Sequence, residues 1–231
     1  MVPPVRPTTT DSPPTQSTRE RGQRRIPQQV RSRGRVERVL EVTADLVVRG
    51  GVEGVNTRSI AAASGIPVAS LYQYFADKDQ ILLALVERDL RAMDAEVERS
   101  LARLSVLSVH SLVDTTIRAF VTVFRQRPAF VVIWLRGRTN QAVYDFCRAH
   151  NRTMAHELFG LARDAGLVLP DANGQHAELA VEVADRLLQV AFESSLDGDP
   201  HVIDEAVAAV SRYLEGHASP AGIAGVPVGG D

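Results

Sequence analysis

The chain has 231 residues, 45% of them hydrophobic, which is ordinary for a globular protein and too high for a disordered one. Its formal net charge of −2 gives no sign of a nucleic-acid partner, and a lone cysteine, Cys147, excludes an intrachain disulfide. The N-terminus lacks the apolar core of a signal peptide, and the longest strongly apolar stretch, residues 129–135, is too short to cross a bilayer. These features predict a cytoplasmic protein without a membrane segment.

The charge is unevenly distributed along the chain. Residues 1–40 carry a net charge of +6, residues 41–170 a net charge of +1, and residues 171–215 a net charge of −8. A basic end in an otherwise acidic chain indicates contact with nucleic acid or another acidic surface at that end. The alternative is a solvated basic tail, which is the more common meaning of a charge run taken alone.

Helical periodicity dominates the chain between its two ends. Residues 1–30 are rich in Pro, Thr, Ser, Gln and Arg without an apolar period, and residues 217–231 read HASPAGIAGVPVGGD, so we predict both as disordered. In between, no segment alternates as a strand does. The predicted helices cover about 33–49, 57–64, 67–74, 77–103, 108–127, 129–137, 140–165, 175–196 and 200–215. About nine helices and no sheet predict an all-α protein.

Several residues predict where these helices begin and end. Gly65 separates the second helix from the third, because glycine readily adopts the backbone conformation that stops a helix. Thr57 is the expected N-cap of the second helix, Asp77 that of the fourth and Asp199 that of the last, since short polar side chains accept hydrogen bonds from the first turn.

Residues 57–75 predict two short helices joined by a tight turn. Ala61 is small where the helices would cross, and Gly65 follows four residues later, where the backbone must bend. The apolar positions that would seal the pair onto the first helix are Ile60, Ile66, Leu71 and Tyr74. This pattern is typical of a helix-turn-helix, whose second helix enters the major groove of DNA.

Residues 33–82 resemble the DNA-binding domain of the TetR family of bacterial transcriptional regulators. The resemblance rests on the apolar first helix, TRSIA at 57–61, ASGI at 63–66, SLYQYF at 70–75 and DKDQIL at 77–82. It implies an N-terminal three-helix DNA-binding domain and a larger C-terminal helical domain for effector binding and dimerisation. The predicted organisation is a disordered basic arm (1–30), the DNA-binding domain (31–78), the effector domain (79–216) and a disordered tail (217–231).

The resemblance implies DNA-contacting roles for nine residues. Thr57, Tyr72 and Lys78 match phosphate-contacting positions, and Gln73 is the strongest candidate for reading a base, because its amide can pair with adenine. Pro67 and Val68 stand where relatives often carry polar residues, so the operator sequence is not predicted. The predicted DNA-binding set is Thr57, Arg58, Val68, Ala69, Ser70, Tyr72, Gln73, Tyr74 and Lys78.

The helices between residues 79 and 165 are apolar on more than one face. Most of these side chains would form an ordinary core, and the resemblance implies that some line an apolar effector pocket between helices. The candidate effector contacts are Phe120, Phe124, Trp134, Tyr144, His150 and Met154, with Arg118, Asn140 and Asn151 as further polar candidates.

The last two predicted long helices carry apolar stripes. In the family these helices pair with their copies in a homodimer, and the alternative is that both stripes face their own domain. Two recognition helices must in any case lie about 34–36 Å apart to meet successive major grooves, which requires two chains.

The resemblance therefore implies a sequence-specific regulator of double-stranded DNA, in particular a repressor that binds a palindromic operator as a dimer and is released by a small, largely apolar effector. The alternative is a helical ligand-binding or partner-binding module without specific DNA binding. The sequence has no nucleophile elbow, phosphate-binding loop, dinucleotide fingerprint or HExxH motif. We therefore expect no enzymatic activity, no catalytic residue, no cofactor and no metal site.

Overall fold

The computed structural model describes residues 28–136 and 140–228. The described helices are α1 (Gln28–Gly50), α2 (Thr57–Ser64), α3 (Val68–Leu71), α4 (Lys78–Leu101), α5 (Val109–Gln126), α6 (Pro128–Phe130), α7 (Gln141–Asp164), α8 (Gly174–Ala191), α9 (Pro200–Glu215) and α10 (Pro220–Ala224). A π-helical turn, Val131–Arg136, follows α6, and two short strands, β1 (Val106–Leu107) and β2 (Val226–Pro227), pair with each other. The predicted all-α fold is confirmed.

The long helices begin and end within a few residues of the predicted positions, and three boundaries differ more. Helix α1 begins at Gln28, inside the predicted disordered arm, whereas the rest of that arm, residues 1–27, lies outside the described residues. Helix α3 is a single turn, and α8 ends at Ala191 rather than near residue 196. Short helices and frayed ends depend on tertiary packing more than on periodicity, so such ends are the least predictable part of a helix.

The N-terminal helices are anchored on the larger helical domain through α1. Val39 and Val47 of α1, Ile60 of α2 and Leu71 of α3 are fully buried against one another. Helix α1 also packs on α4, on α6 and on the π-helical turn. The three N-terminal helices and the start of α4 therefore form one packed unit.

The larger domain is a helical bundle in which α4 packs on α5 and α7, α7 on α8, and α9 on both α5 and α8. Phe124 lies at its centre, with ring centroids 5.5 Å from Phe130 and 5.3 Å from Phe192. Such tilted and edge-on aromatic pairs stabilise beyond the area that they bury. None of the described helices is long and apolar enough to cross a membrane.

The C-terminal segment is folded, so the prediction of a disordered tail is wrong for residues 217–228. Ser219 caps α10, its hydroxyl donates to the Gly166 carbonyl at 2.7 Å, and its N–H donates to the Leu167 carbonyl at 2.9 Å. Gly222 packs so closely on Leu167 that a Cβ at this position would collide with the Leu167 carbonyl. These contacts join backbone groups and small residues distant in sequence, and the composition of the tail gives no sign of them.

Candidate DNA-binding surface and effector cavity

The turn between α2 and α3 is built on Gly65. This residue has a φ of +70°, which a side chain disfavours, and its N–H is bonded to carbonyls of the last turn of α2. The N–H of Ile66 then donates to the Ala61 carbonyl at 3.1 Å. The predicted bend at Gly65 is confirmed, and it directs α3 away from the axis of α2.

The N-cap of α2 is Asn56, so the prediction that Thr57 caps this helix is wrong. The Asn56 side chain accepts a hydrogen bond from the Ser59 N–H at 2.9 Å, and the Asn56 N–H donates to the Ser59 hydroxyl at 3.1 Å. This reciprocal pair requires residues three apart, and Asn56 has the extended backbone of a cap. Thr57 is instead the first helical residue, and its hydroxyl is not used in capping.

Thr57 and Tyr72, two of the predicted phosphate contacts, lie side by side. The Thr57 hydroxyl is 3.4 Å from the Tyr72 hydroxyl, although 15 positions separate the residues. The Tyr72 side chain is 52% exposed, and the neighbouring Arg58 is exposed as well. Two hydroxyls beside the N-terminus of α2 form a surface that can bind one phosphate, because both can donate and the helix dipole favours an anion there.

The outward face of α3 carries the predicted base-contacting residues Val68, Ala69 and Gln73, all of which are exposed, and Ser70, which is half-buried. Leu71 points inward and is fully buried. The single turn of α3 continues as a tighter turn through residue 74. Because Leu71 is buried, the opposite face of α3, which carries mostly small side chains and the Gln73 amide, is exposed to solvent.

Tyr74 and Lys78 are more constrained than the other predicted DNA contacts. Tyr74 is half-buried, and hydrogen bonding to Arg35 and to Ser32 of α1 lowers the pKa of its hydroxyl despite the opposing effect of desolvation. The hydroxyl therefore faces α1 rather than the outward face of α3. The Lys78 ammonium donates to the Val52 carbonyl at 3.3 Å, which leaves two of its three hydrogens for a phosphate.

Helix α4 joins this surface to the interior of the larger domain. Asp77 caps it as predicted, its carboxylate accepting from the Gln80 N–H at 2.9 Å. Further along α4, Leu90 and Met93 line a cavity of about 540 Å³. Helix α4 therefore begins near the candidate DNA-binding surface and passes a space inside the larger domain.

The structure brings five of the six candidate effector contacts into that cavity, which we call the middle cavity: Phe120, Phe124, Trp134, His150 and Met154. The sixth, Tyr144, lines a neighbouring space of about 570 Å³, the near cavity, which shares Trp134 with the middle cavity. The Trp134 indole N–H donates to the Asp185 carboxylate at 3.0 Å.

The further polar candidates separate into two groups. Arg118 lies on the surface, paired with Asp114 and Asp204, and lines neither cavity, so the structure does not support it as an effector contact. Asn140 caps α7 and lines the near cavity. Asn151 is 9% exposed and lines both cavities.

Comparison with known proteins agrees with this geometry. The family model described as "Bacterial regulatory proteins, tetR family" matches residues 39–85. The model described as "Tetracyclin repressor-like, C-terminal domain" matches residues 107–218. The chain belongs to the TetR family. The predicted family is therefore confirmed, and the family is one of DNA-binding transcriptional regulators.

Individual relatives of this TetR-family protein match over different lengths. The transcriptional repressor KstR of Mycobacterium tuberculosis is 34% identical over 68 residues, so the match spans 29% of this chain and about a third, 31%, of KstR. A TetR-family regulator from Streptomyces coelicolor is 28% identical, with a TM-score of 0.61 over 79% of this chain and 99% of that one. The fatty acid degradation regulator FadR of Bacillus halodurans is 14% identical, with a TM-score of 0.63 over 78% of this chain and 94% of that one, and shares the fold.

Thr116 is a cavity residue of this TetR-family protein that the sequence analysis missed. It lines the middle cavity, its side chain is 8% exposed, and its hydroxyl has no hydrogen-bond partner among the described residues. The available signal was a polar residue on an otherwise apolar helix face, between Val113 and Phe120. A buried hydroxyl without a partner is unfavourable, which marks Thr116 as a candidate ligand contact.

A charge cluster around the buried Asp89 links the DNA-binding helices of this TetR-family protein to its larger domain. Asp89 of α4 is 1% exposed and accepts hydrogen bonds from Arg88 at 3.2 Å and from Arg127 at 2.9 Å. Arg88 also pairs with Glu37 of α1 at 2.7 Å. Burial raises the pKa of the Asp89 carboxyl, and the two arginines act against this effect. The sequence analysis missed this cluster, because its members lie on three separate segments.

Proposed function

We propose that this protein is a transcriptional repressor that binds a palindromic operator as a homodimer and is released by a small, largely apolar effector. The observation that carries the proposal is the course of α4. This helix begins at Lys78, seven residues after α3 ends at Leu71, and its later residues Leu90 and Met93 line the middle cavity. The KstR relatives, which match over 68 residues, are themselves named as repressors.

The operator contacts follow from the exposed face of α3 and its surroundings. Thr57, Tyr72 and Lys78 would hold phosphates, and Arg58 would add a further charge. Gln73 would read a base, while Val68 and Ala69 would make apolar contacts such as those with a thymine methyl group. Ser70 is half-buried and could donate or accept a hydrogen bond at the edge of this face. We propose that Tyr74 supports α1 and does not contact a base.

The dimer would form mainly through α8. Leu179 and Val183 of α8 are 48% and 43% exposed, and Val190 continues the same stripe at 40%. By contrast, the predicted stripe on α9, which includes Ile203 and Val207, is buried within its own domain. We therefore propose that α8 supplies the apolar part of the homodimer interface and that α9 contributes its outer, more polar face.

Effector binding would act on the DNA through α4. A ligand in the middle cavity that prefers one position of α4 would change the spacing of the two recognition helices. A coupling free energy of about 1–3 kcal/mol would change operator affinity by about 5–150-fold. The ligand must bind one arrangement better than the other, because equal affinity for both shifts nothing.

The predicted division of the chain remains part of the proposal. The DNA-binding domain would span 31–78 and the effector and dimerisation domain 79–216, meeting at the first turn of α4, with the basic arm ahead of both. We also propose that the protein acts in the cytoplasm, on DNA, without catalysis, cofactor or metal.

The test is operator binding by the full-length chain, measured by fluorescence anisotropy at fixed salt on DNA from upstream of its own gene and on random DNA. Gln73→Ala should weaken binding to the specific DNA by at least about tenfold and leave random DNA unaffected, because the substitution removes a base contact of about 1–3 kcal/mol from each chain of the dimer. Tyr72→Phe should weaken binding to both DNAs alike, because a phosphate contact carries no sequence information.

Ala149→Ser, an exposed change on α7 far from α3, is the matched control and should leave both affinities unchanged. Native mass spectrometry of the complex should count two chains, or a multiple of two, on each operator. Equal affinity for upstream and random DNA at low salt would contradict the proposal and would favour a helical binding module without specific DNA recognition.

A further inference from the structure

A third cavity, the far cavity, lies beyond the middle cavity and measures about 770 Å³, including space that is open to solvent. Along α7, the lining residues of the near cavity fall within 143–151, those of the middle cavity within 150–154 and those of the far cavity within 155–162. Helix α8 passes the same three cavities in the opposite order, and α5 passes the far cavity before the middle one. The three spaces therefore follow one another along the bundle.

Shared walls join the cavities to one another. Thr116, Ile117 and Val181 line both the middle and the far cavity, and Trp134 and Asn151 line both the near and the middle cavity. On α8 the lining runs from His176 to Gln189, a stretch of about 20 Å at 1.5 Å per residue. An elongated ligand could therefore occupy more than one cavity at once.

The lining becomes less polar from the near cavity to the far cavity. The far cavity is lined by apolar side chains apart from Thr116 and two histidines, His176 and His217, whose rings stack with centroids 3.8 Å apart. An apolar cavity has no partner for water and gains free energy from apolar contact. The far cavity therefore suits the apolar part of a ligand.

The charged groups around the near and middle cavities already have partners. Arg148 pairs with Glu182 at 2.9 Å, and the Asp185 carboxylate accepts from Trp134 at 3.0 Å and from Gln189 at 2.6 Å. A charged ligand would have to break one of these pairs or remain buried without compensation, which is strongly unfavourable. The ligand class that fits is neutral.

Two polar side chains of the middle cavity are buried, Thr116 at 8% and Asn151 at 9% exposure. The Thr116 hydroxyl has no hydrogen-bond partner among the described residues. The Nε2 atom of His150, in the same lining, lies 3.0 Å from an Asp94 carboxylate oxygen. Because a hydroxyl and an amide can each donate and accept, a ligand hydroxyl or carbonyl in the middle cavity can bond to Thr116 and Asn151. Such a bond would offset the unfavourable burial of the Thr116 hydroxyl.

We propose that the far cavity binds the apolar tail of a neutral amphipathic ligand whose hydroxyl or carbonyl group is hydrogen-bonded in the middle cavity by Thr116 and Asn151. This inference rests on the proposed function only in taking that ligand to be the effector. It assigns the far cavity, which none of the predicted effector contacts lines, and it names the chemistry of each end of the ligand.

The first test uses the full-length chain and two probes of equal length in isothermal titration calorimetry. These are n-decanol and the decanediol with a hydroxyl at each end. Decanol should bind at least about tenfold more tightly than the diol, because the diol must bury its second hydroxyl in a lining that is apolar apart from Thr116 and the two stacked histidines. Equal affinities, or no binding of decanol, would overturn the proposal.

The second test fills the far cavity. Ala177→Phe places a ring in the space lined by Ala177 and should weaken decanol binding at least tenfold, while binding of n-butanol, which fits the middle cavity alone, is unchanged. Ala149→Phe on the exposed face of α7 is the matched control. Should Ala177→Phe unfold the chain by circular dichroism, Ala177→Leu replaces it. Unchanged decanol affinity in a folded variant would overturn the assignment.

The third test addresses the polar end. Thr116→Val keeps the shape of the side chain and removes the hydroxyl, so decanol affinity should fall about tenfold, by the loss of one hydrogen bond to a buried partner. Unchanged affinity in this variant would overturn the role of Thr116. Operator binding is measured on the same samples. If the chain binds the operator but decanol does not bind as expected, only this inference is refuted. If decanol binds as expected but the chain does not bind the operator, only the proposed repressor function is refuted.

Discussion

Among substitutions that remove only a few atoms, we expect Asp89→Ala to destabilise the protein most. Asp89 is 1% exposed and is the shared acceptor of Arg88 and Arg127, whose side chains are 20% and 34% exposed. Removing the carboxylate leaves two cations beside a buried site without their partner. Arg88 retains its pair with Glu37, so the link between α1 and α4 is weakened rather than abolished.

The expected loss is about 3 kcal/mol of unfolding free energy. Removing one member of a buried ion pair usually costs 3–5 kcal/mol, and the lower end of that range applies here because both arginines can reach solvent. In a chain of this size each kcal/mol corresponds to roughly 2–4 °C, so the midpoint of thermal unfolding should fall by roughly 6–12 °C.

Urea unfolding followed by circular dichroism measures this loss. Arg99→Ala is the control, because Arg99 is 56% exposed in its pair with Glu96 and should cost less than about 0.5 kcal/mol. The double variant of Asp89 and Arg127 should cost less than the two single variants together by at least about 1 kcal/mol, as coupled partners do. If Asp89→Ala costs no more than Arg99→Ala, or if the double variant is additive, Asp89 does not hold the two arginines in a stabilising ion cluster.

Two further predictions concern the core and the C-terminal segment. Burial raises the pKa of the Cys147 thiol from 9.0 to about 12, so Ellman's reagent at pH 8 should modify Cys147 only in unfolded protein. Because this pKa is higher in the folded state, stability should fall as the pH rises from 9 toward 12, and Cys147→Ala should lessen that fall. Gly222→Ala should cost about 1–3 kcal/mol through its collision with Leu167, and should speed hydrogen exchange of the Leu169 N–H, which donates to His217. Rapid labelling of Cys147 in the native protein would contradict the burial of its thiol. Unchanged hydrogen exchange at Leu169 in Gly222→Ala would contradict the packing of Gly222 on Leu167.

Local signals explain why the helix-turn-helix could be predicted from the sequence. Gly65, Asp77 and Asp199 act on residues within four positions of themselves, so their neighbours in sequence are also their partners in space. Local hydrogen bonds also explain why the prediction of Thr57 as the N-cap of α2 was wrong. Asn56 and Thr57 are both good caps, and the reciprocal hydrogen bonds with Ser59, three residues after Asn56, decide between them.

The cavity shows how far a residue pattern can reach. Helices that are apolar on more than one face, together with the family resemblance, predicted six candidates, and five of the six line the middle cavity. Periodicity identifies the inward face of a helix, but it does not distinguish a side chain that fills the core from one that borders an empty space. Thr116 was therefore missed, and Arg118, on the same helix, faces the surface with Asp114 and Asp204.

The sequence by itself determined the helices, the bend at Gly65 and the family, because these depend on hydrogen bonds and periodicities within a few residues. Tertiary structure alone decided which polar groups are buried and what they contact. Asp89 meets Arg127 38 positions away, and Trp134 meets Asp185 51 positions away. The folded tail likewise depends on the meeting of Gly222 with Leu167. Burial depends on how segments distant in sequence pack together. A sequence pattern within one segment does not predict which other segment will pack against it.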